Sequence, residues 1–343
     1  MTAPDPDVAR EAIEYAYDQG WSDGLPLVPV SEPLLERFLA QTRQAPDEVI
    51  GHMPQVDREV TVRTAAINAA MAGCLPEYFP VVLAAWKALM LERTTKGGGW
   101  QSTSGPAPLI VVNGAVRERI GLNSTGGVFG PGFRANATIP RAIGLIVRNA
   151  FGVKPHELEQ STQGIPGRWQ ICFGENEEDS PWCPLAEERG VSGDAVTSVL
   201  LRTSEFVDNR HTKDAEQLLA DFADSIGRTG PWIFANAQVG LVLCPEHAER
   251  LADGGFDRQA IRTWLAEHSG RTAGQLAAVG KARGEDGVRS ASLVGDPDEF
   301  QPTIVDPDSM LIAVAGARTA GISMVVRYFA DWSGTSVPIE PLT

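Results

Sequence analysis

Cysteine and histidine are both scarce in this chain, four of one and five of the other in 343 residues. Cys74, Cys172, Cys183 and Cys244 fall into no C-x-x-C or zinc-ribbon spacing, and no H-x-x-x-H occurs, which excludes a locally encoded zinc site. In a reducing compartment the four sulfurs stay thiols. Positive charge is also short: 29 Lys and Arg face 44 Asp and Glu, a formal charge of -15, which argues against duplex nucleic acid as a partner. Long apolar runs are missing, since none reaches the roughly 18 residues that span a bilayer. The N-terminal "MTAPDPDVAREAIEYAYDQG" has neither the basic start nor the apolar centre of an export signal. A cytoplasmic protein without a membrane partner is the expectation. No G-x-G-x-x-G turn lies directly between a strand and a helix and no P-loop Lys-Ser/Thr follows one, which disfavours a nicotinamide or ATP enzyme.

What is present is an alternation of helical and extended patterns. Residues 4–20 read as an amphipathic helix, a second helix begins near Ser31, and "TVRTAAINAAMAGC" reads as a buried helix ended by Gly73. Pro76 and Glu77 suit the first turn of the next helix, which leaves Cys74 in the break between the two. "PLIVVNGAVRERIG" predicts a buried strand, a turn at Asn113-Gly114 and a short helix; "TIPRAIGLIVRNAFG" predicts a helix capped by Thr138 with Pro140 in its first turn. Three stretches, "PLIVVNGAVRERIGLN", "GLVLCPEHAERLADGG" and "MLIAVAGARTAGISMVV", each run from an apolar strand through a tight turn toward a helix, and they read as candidate repeats. The expected class is α/β or α+β, with mixed sheets and packed helices. A weak boundary near Gly190 to Asp194 divides the chain into a half 1–190 and a half 191–343, intimately packed or parts of one large domain. Residues 280–302 read as a long loop or arm.

Three constellations carry chemistry. The segment "GLNSTGGVFGPGFRANATIPRA", Gly121 to Ala142, holds seven glycines and prolines in twenty-two residues and leads into a helix. Its backbone N–H groups can form an anion-binding concavity, to which Arg134 adds a planar charged fork and Asn123, Ser124 and Asn136 add polar groups. In "CFGENEE" the thiol of Cys172 is followed by clustered carboxylates that raise one another's pKa, which suits Glu175 to general-acid work with Asn176 beside it. Cys74, at a helix start, is placed for thiolate stabilisation. His247 in "CPEHAERL", three residues past Cys244, and His211 in "DNRHTKD" are the histidines open to a metal such as zinc through long-range assembly.

The words "AINAAMAGCLPEYFPVVLAA", "LIVVNGAVRERIGLNSTGGVFGPGFRANATIPRA", "ICFGENEEDSPWCPL" and "LVLCPEHAERLADGG" together resemble a bacterial family without an established function, similar to the larger partner or fused domain of small proteins with a UGSC or CGSC redox motif. The resemblance spans most of the chain. It implies a site made from Cys74, Asn123, Arg134, Asn136, Cys172, Glu175 and Asn176, and an association with thiol or selenol chemistry. This chain has no UGSC segment, so a redox partner would act in trans. It also departs from the pattern at Cys183, where an acidic residue is commoner, and at Pro140, where glycine is.

The leading expectation is a cysteine-dependent enzyme acting on a small polar or anionic organic substrate without a cofactor. Cys74 attacks, Cys172 is its dithiol partner, Glu175 gives the proton, and Asn123, Ser124, Arg134, Asn136 and Asn176 bind substrate. Its reaction would be reductive cleavage or thiol exchange with a small redox protein, or, if the sulfurs are apart, hydrolysis or elimination. A metal-dependent hydratase, lyase or hydrolase using His211, His247 and carboxylates is the second reading, and a non-catalytic substrate-binding component the third. The Ala-rich helix and the apolar C-terminal segment offer a contact for a homo-oligomer.

Overall fold

The runs with apolar residues on both faces become the interior strands of one sheet, as expected for strands covered on both sides. In the computed structural model, residues 5–96, 98–229, 238–284, 289–290, 292, 295–304, 306–329 and 334–340 are described. The expected arm at 280–302 lies partly outside them. A hairpin of β1 (Val49–Met53) and β2 (Arg58–Thr61) precedes the sheet, which contains β3 (Ala107–Asn113), β4 (Ile171–Gly174), β5 (Ala195–Asp208), β6 (Gln238–Leu243), β7 (Leu311–Val314), β8 (Ile322–Tyr328) and β9 (Ser336–Pro338). Strand order is β7-β6-β8-β5-β3-β4, with β9 on β5. The fold is mixed α/β, with helices packed on a sheet of parallel and antiparallel pairs.

Two halves of this sheet repeat one plan. In the first, β3 is parallel to β4 and antiparallel to β5. In the second, β6 is parallel to β7 and antiparallel to β8. The registers match: Val112 faces Gly174 and Val196, while Val242 faces Ala313 and Met324 and Leu243 faces Val314. Since β5 and β8 pair antiparallel, an approximate two-fold axis runs between them near Leu201 and Tyr328. The sheet also curls so that its edges meet at one end, where the Asn176 N–H donates to the Val314 carbonyl at 2.7 Å and the Gly316 N–H to the Ser124 carbonyl at 2.9 Å.

The duplication revises the expected repeats. Two of the three stretches, those at β3 and β6, start the two halves; the third supplies β7 and turns into strand β8 rather than a helix. Each half also places a helix before its second strand, α5 (Arg134–Asn149) before β4 and α8 (Arg258–His268) before β7.

Helices α1 (Pro6–Asp18), α2 (Glu32–Leu39), α3 (Val62–Ala72), α4 (Phe79–Leu91) and α5 belong to the larger apolar core with β3, β4 and the first part of β5. Helices α6 (Ala215–Thr229), α7 (Pro245–Asp253) and α8 build a second core on the end of β5 and on β6 to β8. The long strand β5 contributes to both. Five of the eleven residues of helix α3 are alanine, which lets α5 pack closely on it, and Thr61 caps it by accepting from the Thr64 N–H. Helix α5 starts at Arg134, four residues before the expected cap, so Pro140 is interior; its missing N–H leaves the Asn136 carbonyl without the usual helical donor. No helix among the described residues is long and apolar enough to cross a membrane.

Candidate active site

Some of the residues expected to share a site touch: Arg134 meets the Cys74 turn, and Asn136 meets Asn123 and Cys172. Arg134 donates Nε to the Gly73 carbonyl at 2.8 Å, which puts its guanidinium beside the Cys74 turn. Cys74 itself is 5% exposed. Burial pushes its thiol up to about 12, against the hydrogen bond from Thr138 and the charges of Arg134 and Arg141. The expected helix start is present as a 3-10 turn, Pro76–Tyr78, that runs straight into α4, but desolvation outweighs it. Cys172 is 1% exposed, and burial followed by the nearby Cys74 raises its thiol as well.

Asn136 ties the base of the glycine loop to the sheet. Its Oδ1 accepts from the Asn123 N–H at 2.8 Å, and its Nδ2 donates to the carbonyls of Asn123 at 3.1 Å and Cys172 at 2.9 Å. The Asn123 side chain turns inward on its own loop, accepting from the Thr125 N–H and donating to the Gly126 carbonyl. Ser124 meets the second half through its carbonyl. Asn176 bonds Asp179 and the Gly316 carbonyl. These side chains set the loop's shape with groups that were expected to hold substrate.

Glu175 lies at the contact between the two halves. It is fully buried and accepts from Asn113 Nδ2 at 2.6 Å, the Leu185 N–H at 2.6 Å, Arg258 Nη2 at 2.7 Å and the Val314 N–H at 3.4 Å. Burial raises its carboxyl above the usual range, with Arg258 the main opposing influence. Its oxygens are engaged by these donors, and through Arg258 and the Val314 N–H it ties the two halves together.

The glycine loop faces a different sulfur. Gly127, Val128, Phe129 and Gly130 form one wall of a cavity of about 280 Å³, and Cys244, Val242, Ala315, Phe206, Ser323 and Met324 are among its other lining residues. Cys244 is the N-cap of α7. Burial raises its thiol, opposed first by a hydrogen bond with Ser323 and then by one from the His247 N–H. Ser323 Oγ lies 3.6 Å from Cys244 Sγ, accepts the Cys244 N–H at 2.9 Å and sits 2.7 Å from His247 Nδ1. The other ring nitrogen, Nε2, lies 2.8 Å from the Asn209 carbonyl, which can only accept; the neutral ring therefore carries its proton there and presents Nδ1 as an acceptor. The single Ser323 proton goes either to His247 Nδ1 at 2.7 Å or to Cys244 Sγ, to which Oγ donates at 3.6 Å; in the first arrangement the serine oxygen faces the thiol.

His247 is fully buried. Burial holds its pKa below the ordinary value, with Arg250 acting in the same direction and the Asn209 bond, Glu246 and Asp221 opposing. It is neutral at pH 7, as a base must be. Gly321 allows this arrangement, because a Cβ there would stand 2.5 Å from the Asn209 carbonyl oxygen and 2.7 Å from His247 Nε2. With both ring nitrogens engaged, His247 is not poised as a metal ligand, and His211 is exposed. Among the described residues no group of three His, Cys, Asp or Glu side chains is placed to hold a metal.

The Cys244-Ser323-His247 chain was not foreseen as a unit. The signal lay in "CPEH", where a helix N-cap and the residue three later share one end of the helix; Ser323 is 79 positions from Cys244 and had no local signal. In the other half, the registers and the turns after β3 and β6 match Cys244, Ser323 and His247 with Asn113, Val196 and Val116. The reactive set occurs in one copy only. No family model matches the chain, and no curated protein matches it in sequence.

Proposed function

We propose that this chain is a cysteine-dependent enzyme in which Cys244 attacks a small organic substrate held in the cavity beneath the glycine loop. One observation carries the reading: a sulfur at a helix start borders a cavity and is backed by a serine and a neutral buried histidine in hydrogen-bonding sequence. As Cys244 attacks, its proton passes to Ser323 Oγ while the Ser323 proton passes to His247 Nδ1. General-base help of this kind contributes roughly 10²–10⁴ in rate. The test is alkylation by iodoacetamide followed by peptide mass mapping. Cys244 is labelled in the native protein faster than Cys74 or Cys172, and its labelling slows at least about tenfold in His247→Gln. Native labelling of Cys74 and Cys172 ahead of Cys244 would refute the assignment.

A redox reading keeps one supporting observation, that Cys74 lies near enough to Cys172 to raise its thiol. In that reading the two thiols oxidise to a disulfide, and their two electrons and two protons reduce the disulfide or selenylsulfide of a small redox protein acting in trans to its dithiol or thiol-selenol form, as the likeness to the UGSC-associated family implies. Oxidised glutathione followed by intact-mass measurement tests it: a loss of two hydrogens mapped to Cys74–Cys172 supports it, and unchanged mass counts against it. Either chemistry suits a cytoplasmic location, where thiols stay reduced.

A further inference from the structure

Resting on the assignment of Cys244 as nucleophile, we infer that the substrate is a neutral acyl compound whose apolar acyl group fills the cavity, and that the enzyme transfers this group through a thioester on Cys244. This replaces the expected anionic substrate. The argument is the composition of the wall. Val128, Phe129, Phe206, Val242 and Met324 present hydrocarbon and thioether, and Gly127, Gly130 and Gly316 present backbone; among the described residues none that lines the cavity bears a charge. An unpaired carboxylate in such surroundings costs several kcal/mol of desolvation. The cations nearest in sequence are committed elsewhere. Arg318 pairs with Glu249 at 2.6 Å and Asp179 at 3.3 Å, and Arg134 holds the Gly73 carbonyl outside the cavity lining.

The volume narrows the class further. About 280 Å³ falls just below the roughly 300–1,000 Å³ of sites for drug-sized ligands, which suits a short branched or aromatic acyl group and leaves a bulky leaving group at the mouth. There Phe206, 64% exposed, offers an apolar rim.

The chemistry balances without an oxidant or metal. The Cys244 sulfur adds to the acyl carbon as its proton moves along Ser323 to His247. Collapse of the adduct breaks the bond to the leaving group, which departs with the proton returned from His247. Water then adds to the thioester by the same proton route, releasing the carboxylic acid and regenerating the thiol. The net reaction is hydrolysis of an acyl compound to an acid and the protonated leaving group.

Two p-nitrophenyl esters separate the cases, the neutral phenylacetate and the negatively charged hemisuccinate, with iodoacetamide labelling of Cys244 run on the same preparation. The expected result is a burst of about one p-nitrophenol per chain from the phenylacetate, a mass increase of one phenylacetyl group mapped to Cys244, and at least about a tenfold slower reaction of the hemisuccinate. Val128→Lys, on the loop wall, shifts the preference toward the hemisuccinate while iodoacetamide still labels Cys244. If Cys244 resists iodoacetamide, the nucleophile assignment fails. If it is labelled but the hemisuccinate reacts as fast as the phenylacetate, or neither ester acylates it, only the neutral-acyl inference is overturned.

Discussion

At the scale of single residues, burial alone does not separate the sulfurs, since Cys244 is 4% exposed and Cys74 5%; what distinguishes Cys244 is the cavity that it lines. Cys74 and Cys172 lie among apolar side chains, so the native protein resists their alkylation until the pH approaches the Cys74 value of about 12 or the fold opens. The check is peptide mapping across a pH series with and without urea. For His247 the direction is opposite. Its folded pKa lies below its ordinary value, so the unfolded chain takes up the proton first as pH falls. Stability from the neutral buried ring is therefore complete above about pH 6.5 and is lost as pH drops through the folded value. Acyl transfer should show its acid limb below about pH 6.5 as well, and His247→Gln should remove that limb together with most of the rate. Glu175→Gln should cost about 1–3 kcal/mol because it removes the nearest counter-charge of buried Arg258, which keeps the Cys183 carbonyl and, at 3.6 Å, Glu188, read as a lower urea midpoint with an unchanged slope.

At the scale of elements, the interior strands were legible because β3 and β6 have no polar face to disguise them, and α6 because its apolar residues recur at helical spacing. The outer end of β5, "SEFVD", was not: two half-buried residues precede the exposed Phe206, so no period-two alternation marks it. Helix α5 starts well before the first turn that Pro140 suggests, because Asn136 anchors the chain through three bonds to Asn123 and Cys172. No local pattern encodes bonds of that separation. Asn136→Ala should therefore cost about 1–3 kcal/mol per buried group left unpaired and speed protease cleavage within residues 125–133, followed by mass spectrometry of the fragments. Gly321→Ala is the matching test at the other half. Its methyl cannot fit between the Asn209 carbonyl and the His247 ring, so the rate with a neutral ester should fall by more than the loss of stability alone would explain.

At the scale of the whole molecule, the mixed α/β class could be anticipated, while the two-fold arrangement could not. Hydrophobic patterning records which residues face inward, and the two halves share register far more than they share residue identity. The cores meet along β5 and through the Glu175–Arg258 pair. Separately produced fragments 1–190 and 191–343 should each lack native near-ultraviolet dichroism, because the first loses β5 from β3 and the second loses the partner of Arg258. A fragment 1–190 that folds cooperatively alone would contradict this.

The matched ends of β3 and β6 suggest how such a scaffold tolerates chemistry. Around Asn113 the backbone position is tied down by Glu175 and Glu177, while its counterpart Cys244 has a void in front of it. Anchorage and reactivity are thus assigned to different copies of the same corner, so a lineage can vary the chemistry at one corner without unfastening the other.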